Sequence, residues 1–249
     1  MNRVFITTDI GCDADDQQSM IHALMLHQAR RVEIVGIAIG YPCGDRFLVD
    51  RCLTAARRDG FAEAWKLKQK VYQGAKRKGL GVASSGAMQL IKLAMNGDER
   101  PLLVSVWGSA TDLANAIREE PRIVPRIRAH VIASWNREQD PESHKFLKSV
   151  KGLRWIDNER DFRRMYQGWP IAKNREFVKM IGKKCGHLGA LFADVSRNIN
   201  TGKNSIKMGD TPSFQWAVEF QGSMKWTTKR QSILRLWKEV ITEIYGEAK

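Results

Sequence analysis

Four cysteines in 249 residues, Cys12, Cys43, Cys52 and Cys185, show no CxxC pair and no zinc-like spacing. That argues against a structural zinc site or a disulfide scaffold, and reduced, mostly buried thiols are expected. No apolar run approaches the length of a membrane-spanning helix, so no membrane partner is expected. Low-complexity tracts and internal repeats are absent too. Met1-Asn2-Arg3 leads directly into an apolar run, which leaves no room for a signal peptide and makes a cytoplasmic address the expectation. Acidic residues are few beside basic ones, 27 against 41, and the net charge is +14.

What is present is a hydrophobic fraction of 43%, enough for a sizeable core over one domain, 1–249. The pI near 9.8 is high for a metabolic enzyme. Arg and Lys gather at Arg57-Arg58, Lys66 to Lys70, Lys76-Arg77-Lys78, Arg122 to Arg128, Arg163-Arg164, Lys183-Lys184 and Lys225 to Arg230. Some clusters interleave with aromatics, as at Trp65-Lys66 and Tyr72 to Lys78, a composition that suits a nucleic-acid or phosphorylated partner. A dispersed, solvated surface has the same composition. The oligomeric state is left open, a homo-oligomer included.

Strand and helix signals alternate along the chain. Strands are expected at Val4 to Thr8, Val32 to Ile39, Lys70 to Gln73, Leu102 to Trp107, Ala129 to Ser134 and Leu153 to Ile156. Helices are expected at Asp15 to Gln28, Asp45 to Asp59, Ala87 to Met95, Thr111 to Arg118, Thr211 to Phe220 and Ile233 to Tyr245, with a weak one within Trp169 to Asn204. The pattern predicts an α/β fold, a mainly parallel central sheet with flanking helices and an open Rossmann-like core.

The opening run Val4-Phe5-Ile6-Thr7-Thr8 ends in Asp9-Ile10-Gly11-Cys12-Asp13-Ala14-Asp15-Asp16, four carboxylates within eight positions. Asp15 and Asp16 are explained by stabilisation of a helix N-terminus, but Asp9 at the strand tip is not. Carboxylates at the C-terminal edge of a parallel sheet, where crevices form, repel one another unless a cation or shared protons compensate. A divalent metal with oxygen ligands is the simplest compensation. Aspartates at a strand end also suit a Mg²⁺ phosphohydrolase, but no companion phosphatase motif accompanies them.

Thr8-Asp9-Ile10-Gly11 followed by Asp13-x-Asp15-Asp16 resembles the opening motif of inosine–uridine type nucleoside hydrolases. The closer resemblance is to the nucleoside hydrolase-like domain of bacterial proteins labelled cellulose-binding. Trp107-Gly108 with Thr111 to Ala116, Gln139-Asp140, Phe162 to Tyr166 and Gly209 to Phe214 fit it in order, over nearly the whole chain. The resemblance implies a Ca²⁺ ion held by Asp9, Asp16, Asp210 and the Thr111 carbonyl, with Asp15 as general base on a calcium-bound water. It implies hydrolysis of an N-glycosidic bond in a nucleoside or related ribosyl compound.

Three positions depart from those enzymes. Thr7 replaces a first aspartate, Gly40-Tyr41-Pro42 replaces a sugar-binding asparagine, and Gly209 stands where many have a histidine that assists base departure. Asn136, Glu138, Gln139 and Asp140 are candidate substitutes in sugar binding, with a plain polar loop as the alternative. Tyr41, Trp107, Trp135 and His187 are further candidates near the pocket, and the bland alternative for the tryptophans and histidines is core or structural use. Asp13 either tunes the site or forms an Asx turn. A nucleic-acid base glycosylase or modified-nucleotide hydrolase, and a non-catalytic sugar- or nucleotide-binding module, are the competing functions.

Overall fold

The computed structural model describes residues 1–157, 171–197, 206–226 and 230–246. The expected motif segment Phe162 to Tyr166, Arg163-Arg164 with it, and the tail of the polar loop ending at Asn204 lie outside the described residues, as does the side chain of Trp135.

Six parallel strands form one sheet: β1 (Arg3–Thr8), β2 (Glu33–Ile39), β3 (Val71–Gln73), β4 (Leu102–Val106), β5 (Ile127–Val131) and β6 (Trp155–Asp157). Their order is β3-β2-β1-β4-β5-β6, so the winding reverses between β1 and β4. In an open α/β sheet that reversal leaves a crevice at the strands' C-terminal ends.

The sheet is covered on both faces, as an all-parallel sheet requires. Alternation along β1 assigns the faces. Val4 and Ile6 belong to a core shared with α1 (Asp15–Gln28), α2 (Arg46–Arg58) and α3 (Ala62–Lys66). Phe5 belongs to the opposite core, with α4 (Ser85–Ala94), α5 (Thr111–Glu119) and α7 (Pro141–Ser149). Residues 15–26 of α1 are all buried, because a second helical layer lies outside it. That layer includes α8 (Ile171–Lys184), α9 (Gly186–Ser196) and α11 (Arg230–Tyr245); α10 (Thr211–Glu219) packs at the edge of β4.

Two expectations are corrected here. The strand drawn to Ser134 stops at Val131, and the polar stretch beyond it is helix α6 (Ala133–Gln139) rather than loop. Its Ala, Arg, Glu and Gln residues are good helix formers. The expected reduced state also fails for two cysteines: Cys12 and Cys43 form a disulfide, with Cα atoms 5.1 Å apart, while Cys52 and Cys185 are free and buried. Spacing gave no hint, because the pair is made by β1 and β2 lying side by side. The loop after β1 then meets the loop after β2, where the Asp45 N–H donates to the Ile10 carbonyl at 2.7 Å. Gly11, at φ +123°, permits the approach; a Cβ there would lie 2.8 Å from the Cys43 carbonyl oxygen.

Candidate metal centre

β1 carries a buried β-branched run to the rim and stops at Asp9, beside the end of β4. There the Trp107 N–H donates to the Thr7 carbonyl at 2.8 Å. The next residue, Gly108, lies against the Asp9 carboxylate: a Cβ at 108 would be 2.7 Å from Asp9 Cγ and Oδ1. Any side chain at 108 would force the Asp9 carboxylate to move.

Asp15 and Asp16 occupy the first turn of α1, where the helix dipole favours negative charge. Neither caps the helix. Asp16 accepts the Thr8 hydroxyl at 2.6 Å, and Asp15 Oδ2 accepts the Gly209 N–H at 3.1 Å. Asp13 accepts the Asp15 N–H at 2.9 Å, an Asx turn, and its other oxygen pairs with the Lys207 ammonium. The Asx turn is one of the two roles the sequence offers for Asp13; as a candidate substrate contact it is instead engaged by Asp15 and Lys207.

A further carboxylate arrives from a distant segment. Gln18 of α1 accepts the Lys207 and Met208 N–H groups at 2.9 and 3.2 Å, and Ser19 pairs with the Thr211 hydroxyl at 3.0 Å. These bonds dock residues 207–211 on the first turns of α1. Asp210, just before α10, makes no side-chain capping bond to that helix, so its carboxylate is left for the cluster. Asp15, Asp16 and Asp210 each offer an oxygen within 4.8 Å of the others, and all three are buried.

Burial, before any other cause, drives these acids towards the protonated form. Asp15, Asp16 and Asp210 are held well above the ordinary carboxylate range, and the neighbouring carboxylates push in the same direction. Asp9 is raised to about 7, chiefly by burial, with Asp13 adding to the rise and a hydrogen bond from Gln139 opposing it. Lys207 draws Asp9 and Asp15 back down. Among the described residues no cation pairs directly with Asp16 or Asp210. Buried, hard-oxygen donors whose charges lack a counter-ion fit a divalent cation.

The remaining candidates separate. Thr111 stands in the first turn of α5 and donates its hydroxyl to Asp140. Asp140 also accepts the Gly79 N–H at 2.9 Å and caps α7 through the Ser143 N–H, so it is a structural clamp and not a sugar ligand. Burial acts to raise its pKa, but these donors outweigh it and hold the carboxyl below its ordinary range. Trp107 is turned into the core, its indole N–H on the Ser105 hydroxyl and its ring edge-on to Phe214; that corrects its assignment to substrate. His187 pairs with Asp59, just past the far end of α2, whose 13 residues span about 20 Å. It lies away from the rim that carries Asp9, and Asp59 uses it with the Leu188 N–H to hold the start of α9. Tyr41 is half-buried on the rim, its carbonyl accepting the Ser109 hydroxyl. On α6, Asn136 is buried, Glu138 exposed and Gln139 turned to Asp9. Lys207, Gln18 and Gly108 escaped the sequence reading as site residues. Only Gly108 carried a signal, its place directly after a strand that ends at the switch point.

With this arrangement in view, the family model described as "Cellulose-binding Sde182, nucleoside hydrolase-like domain" matches residues 49–226. The chain belongs to this family. Among solved structures, a nucleoside hydrolase-related hypothetical protein from Saccharophagus degradans, associated with carbohydrate metabolism, is similar at 23% identity and TM-score 0.70. The match covers 87% of this chain and 55% of that one, so the chain spans about half that protein's length. A plant nucleoside hydrolase, PpNRh1, is similar at 14% identity and TM-score 0.64, with 99% of each chain covered. An inosine-guanosine nucleoside hydrolase is similar at 13% identity and TM-score 0.65 over 100% of both chains. No curated protein matches in sequence. These likenesses show a nucleoside hydrolase-like α/β fold for this member of the family.

Proposed function

We propose that this chain is a calcium-dependent hydrolase that cleaves the N-glycosidic bond of a nucleoside or related ribosyl compound. The observation that carries the proposal is the buried convergence of Asp15, Asp16 and Asp210, with Asp9 beside them, at the sheet's switch point. Asp9, Asp16, Asp210 and the Thr111 carbonyl would hold the ion. Bound calcium supplies positive charge that makes water a nucleophile near neutral pH and orients the ribose hydroxyls.

Asp15 is the general base. Its carboxylate is fixed by the Gly209 N–H and faces Lys207, and it takes the proton of the attacking water. A C–O bond forms at the anomeric carbon as the C–N bond breaks, and the departing base carries away the electron pair. Gln139 orients Asp9; Tyr41, Asn136 and Glu138 are the candidates for contact with the sugar or base. Gly209 offers no acid to the leaving group, which favours substrates whose base departs readily.

Base release from a nucleoside panel, with and without chelator, tests the reading. Calcium-dependent release is expected, and Asp15→Asn should lose at least about a hundredfold in kcat while still binding calcium. Full activity of Asp15→Asn, or indifference to chelator, would remove the mechanism. Tight capture of a nucleoside or sugar without turnover would instead support a binding module, the reading favoured by Gly209 and by the family's cellulose-binding description.

A further inference from the structure

Several basic clusters of the sequence are engaged within the fold. Arg57 and Lys68 lie over the Trp65 ring, each 4.8 Å from its centre. Arg122 pairs with Glu120, and Arg128 donates to the carbonyls of Pro125 and Ile127. Lys76, Arg77 and Lys78 differ. All three are exposed, and none has a carboxylate partner among the described residues.

The loop that carries them, between β3 and α4, is fixed from beneath. The Ala75 N–H donates to Asp112 at 2.9 Å, Gly79 to Asp140 at 2.9 Å and Gly81 to Asn115 at 2.8 Å. Glu142 accepts the Leu80 N–H at 3.4 Å. With the amides of Ala75, Gly79 and Gly81 turned inward, the loop carries three adjacent exposed cations on an anchored backbone. Together with Ser84 and Ser85 at the start of α4, it lines a groove of about 600 Å³. The positive end of the ten-residue helix α4 adds to the field there.

A relay of contacts links this groove to the carboxylate centre. The Tyr41 N–H donates to the Ala75 carbonyl at 2.7 Å, and the Tyr41 carbonyl accepts from Ser109, next to Gly108. Gly79 shares Asp140 with Thr111, and Gln139, the residue before Asp140, contacts Asp9. β3 lies two strands from β1, a separation of roughly 10 Å.

We infer that the groove binds the phosphate of the substrate, so that the compound hydrolysed is a phosphorylated ribosyl compound, a nucleoside monophosphate, rather than a free nucleoside. Three cations and a helix N-terminus beside an acidic, metal-holding centre divide the work: the metal takes the neutral diol, and the basic loop takes the anion. The inference rests on the hydrolase reading for the chemistry at the sugar, but anion binding by the loop stands apart from it.

The test uses AMP, adenosine and inorganic phosphate as probes, on the calcium-loaded protein and on a Lys76→Gln/Arg77→Gln/Lys78→Gln variant. The native chain should prefer AMP to adenosine about tenfold or more in kcat/KM, mainly through KM, with phosphate competing. The variant should bring the two substrates close to parity, while its calcium-induced rise in Tm shows that the fold and metal centre are intact. Equal use of AMP and adenosine by the native chain, or a preference that survives in the variant, would overturn the inference and leave the hydrolase intact. If neither compound is hydrolysed but AMP and phosphate bind the native chain and not the variant, the anion site stands and the hydrolase reading falls. Salt-steep binding of a ribo-oligonucleotide without response to AMP or phosphate would also overturn it, in favour of a polymer-binding surface.

Discussion

The Lys207 ammonium pairs with Asp13, 194 residues earlier in the chain, and lies 3.9 Å from Asp15 Oδ1. One cation thus fastens the segment bearing Asp210 to the loop that precedes α1, and it partly offsets four crowded acids. Lys207→Met should therefore destabilise the chain by about 2 kcal/mol, less than a fully buried pair would, because both partners keep some solvent contact. The loss should be larger in chelator than in excess calcium, since a divalent ion supplies the missing charge. Thermal unfolding of both proteins in the two conditions checks this. Equal losses would mean that Lys207 and the metal do not share the same carboxylates.

Gly108→Ala places a methyl group 2.7 Å from the Asp9 carboxyl. Asp9 sits at a strand tip and has no long chain to swing away, so its carboxylate must shift. Calcium affinity measured by calorimetry should fall at least about tenfold, in line with 1.4 kcal/mol or more of lost binding, while the secondary structure stays native. Unchanged affinity would exclude Asp9 as a ligand.

His22 stacks on Trp237 with ring centres 4.3 Å apart, and neither of its nitrogens has a hydrogen-bond partner among the described residues. Burial pushes its pKa down to about 3, against 6.5 when exposed. The unfolded chain therefore takes up a proton that the folded chain refuses as pH falls from 6.5 to 3. Stability from this residue is fully present above pH 6.5 and is lost through that window. At pH 4.5 the loss amounts to about 2–3 kcal/mol. His130, also lowered to about 3 by burial, adds a loss of the same sign. The metal-free acids, with raised values, act in the opposite sense, so the comparison must be made between chains. Denaturant unfolding at pH 7 and 4.5 should show a smaller drop for His22→Phe than for the native protein.

With Cys12 and Cys43 joined, the denatured chain should label two thiols without reductant and four with it. Mass spectrometry after alkylation reads the difference directly. Such a bond persists in oxidising surroundings and is reduced in an ordinary cytosol, so the labelled count in cells also reports the compartment. Cys43→Ser should loosen the Asp9–Asp16 loop from the β2 loop and weaken calcium binding.

Most of the fold was legible in the residues. Apolar, β-branched runs such as Val4 to Thr8 and Glu33 to Ile39 fill strands buried on both faces, and their alternation with helical stretches dictates a parallel sheet. Asp9 at a strand tip was legible for the same reason: where a strand ends is a local property of the chain. The polar stretch after β5 misled because its composition is loop-like, yet Arg137, Glu138 and Gln139 are good helix formers.

The sequence by itself determined the α/β class, the acidic opening at the sheet's rim and the excess of positive charge. Only the tertiary structure decided which groups meet. The grouping of Asp210 with Asp9 and Asp16 was implied by the family resemblance and by no local pattern; the structure set Asp210 by Asp15 and Asp16, set Lys207 on Asp13, joined Cys12 to Cys43, turned Asp140 and Trp107 to structural work, and carried His187 to the far end of α2. The physical reason is that strand order, not sequence distance, sets proximity along a parallel sheet's edge. Hydrogen-bond partners such as those of Gln18 and Asp140 then fix the orientation of each loop, and no local pattern encodes them.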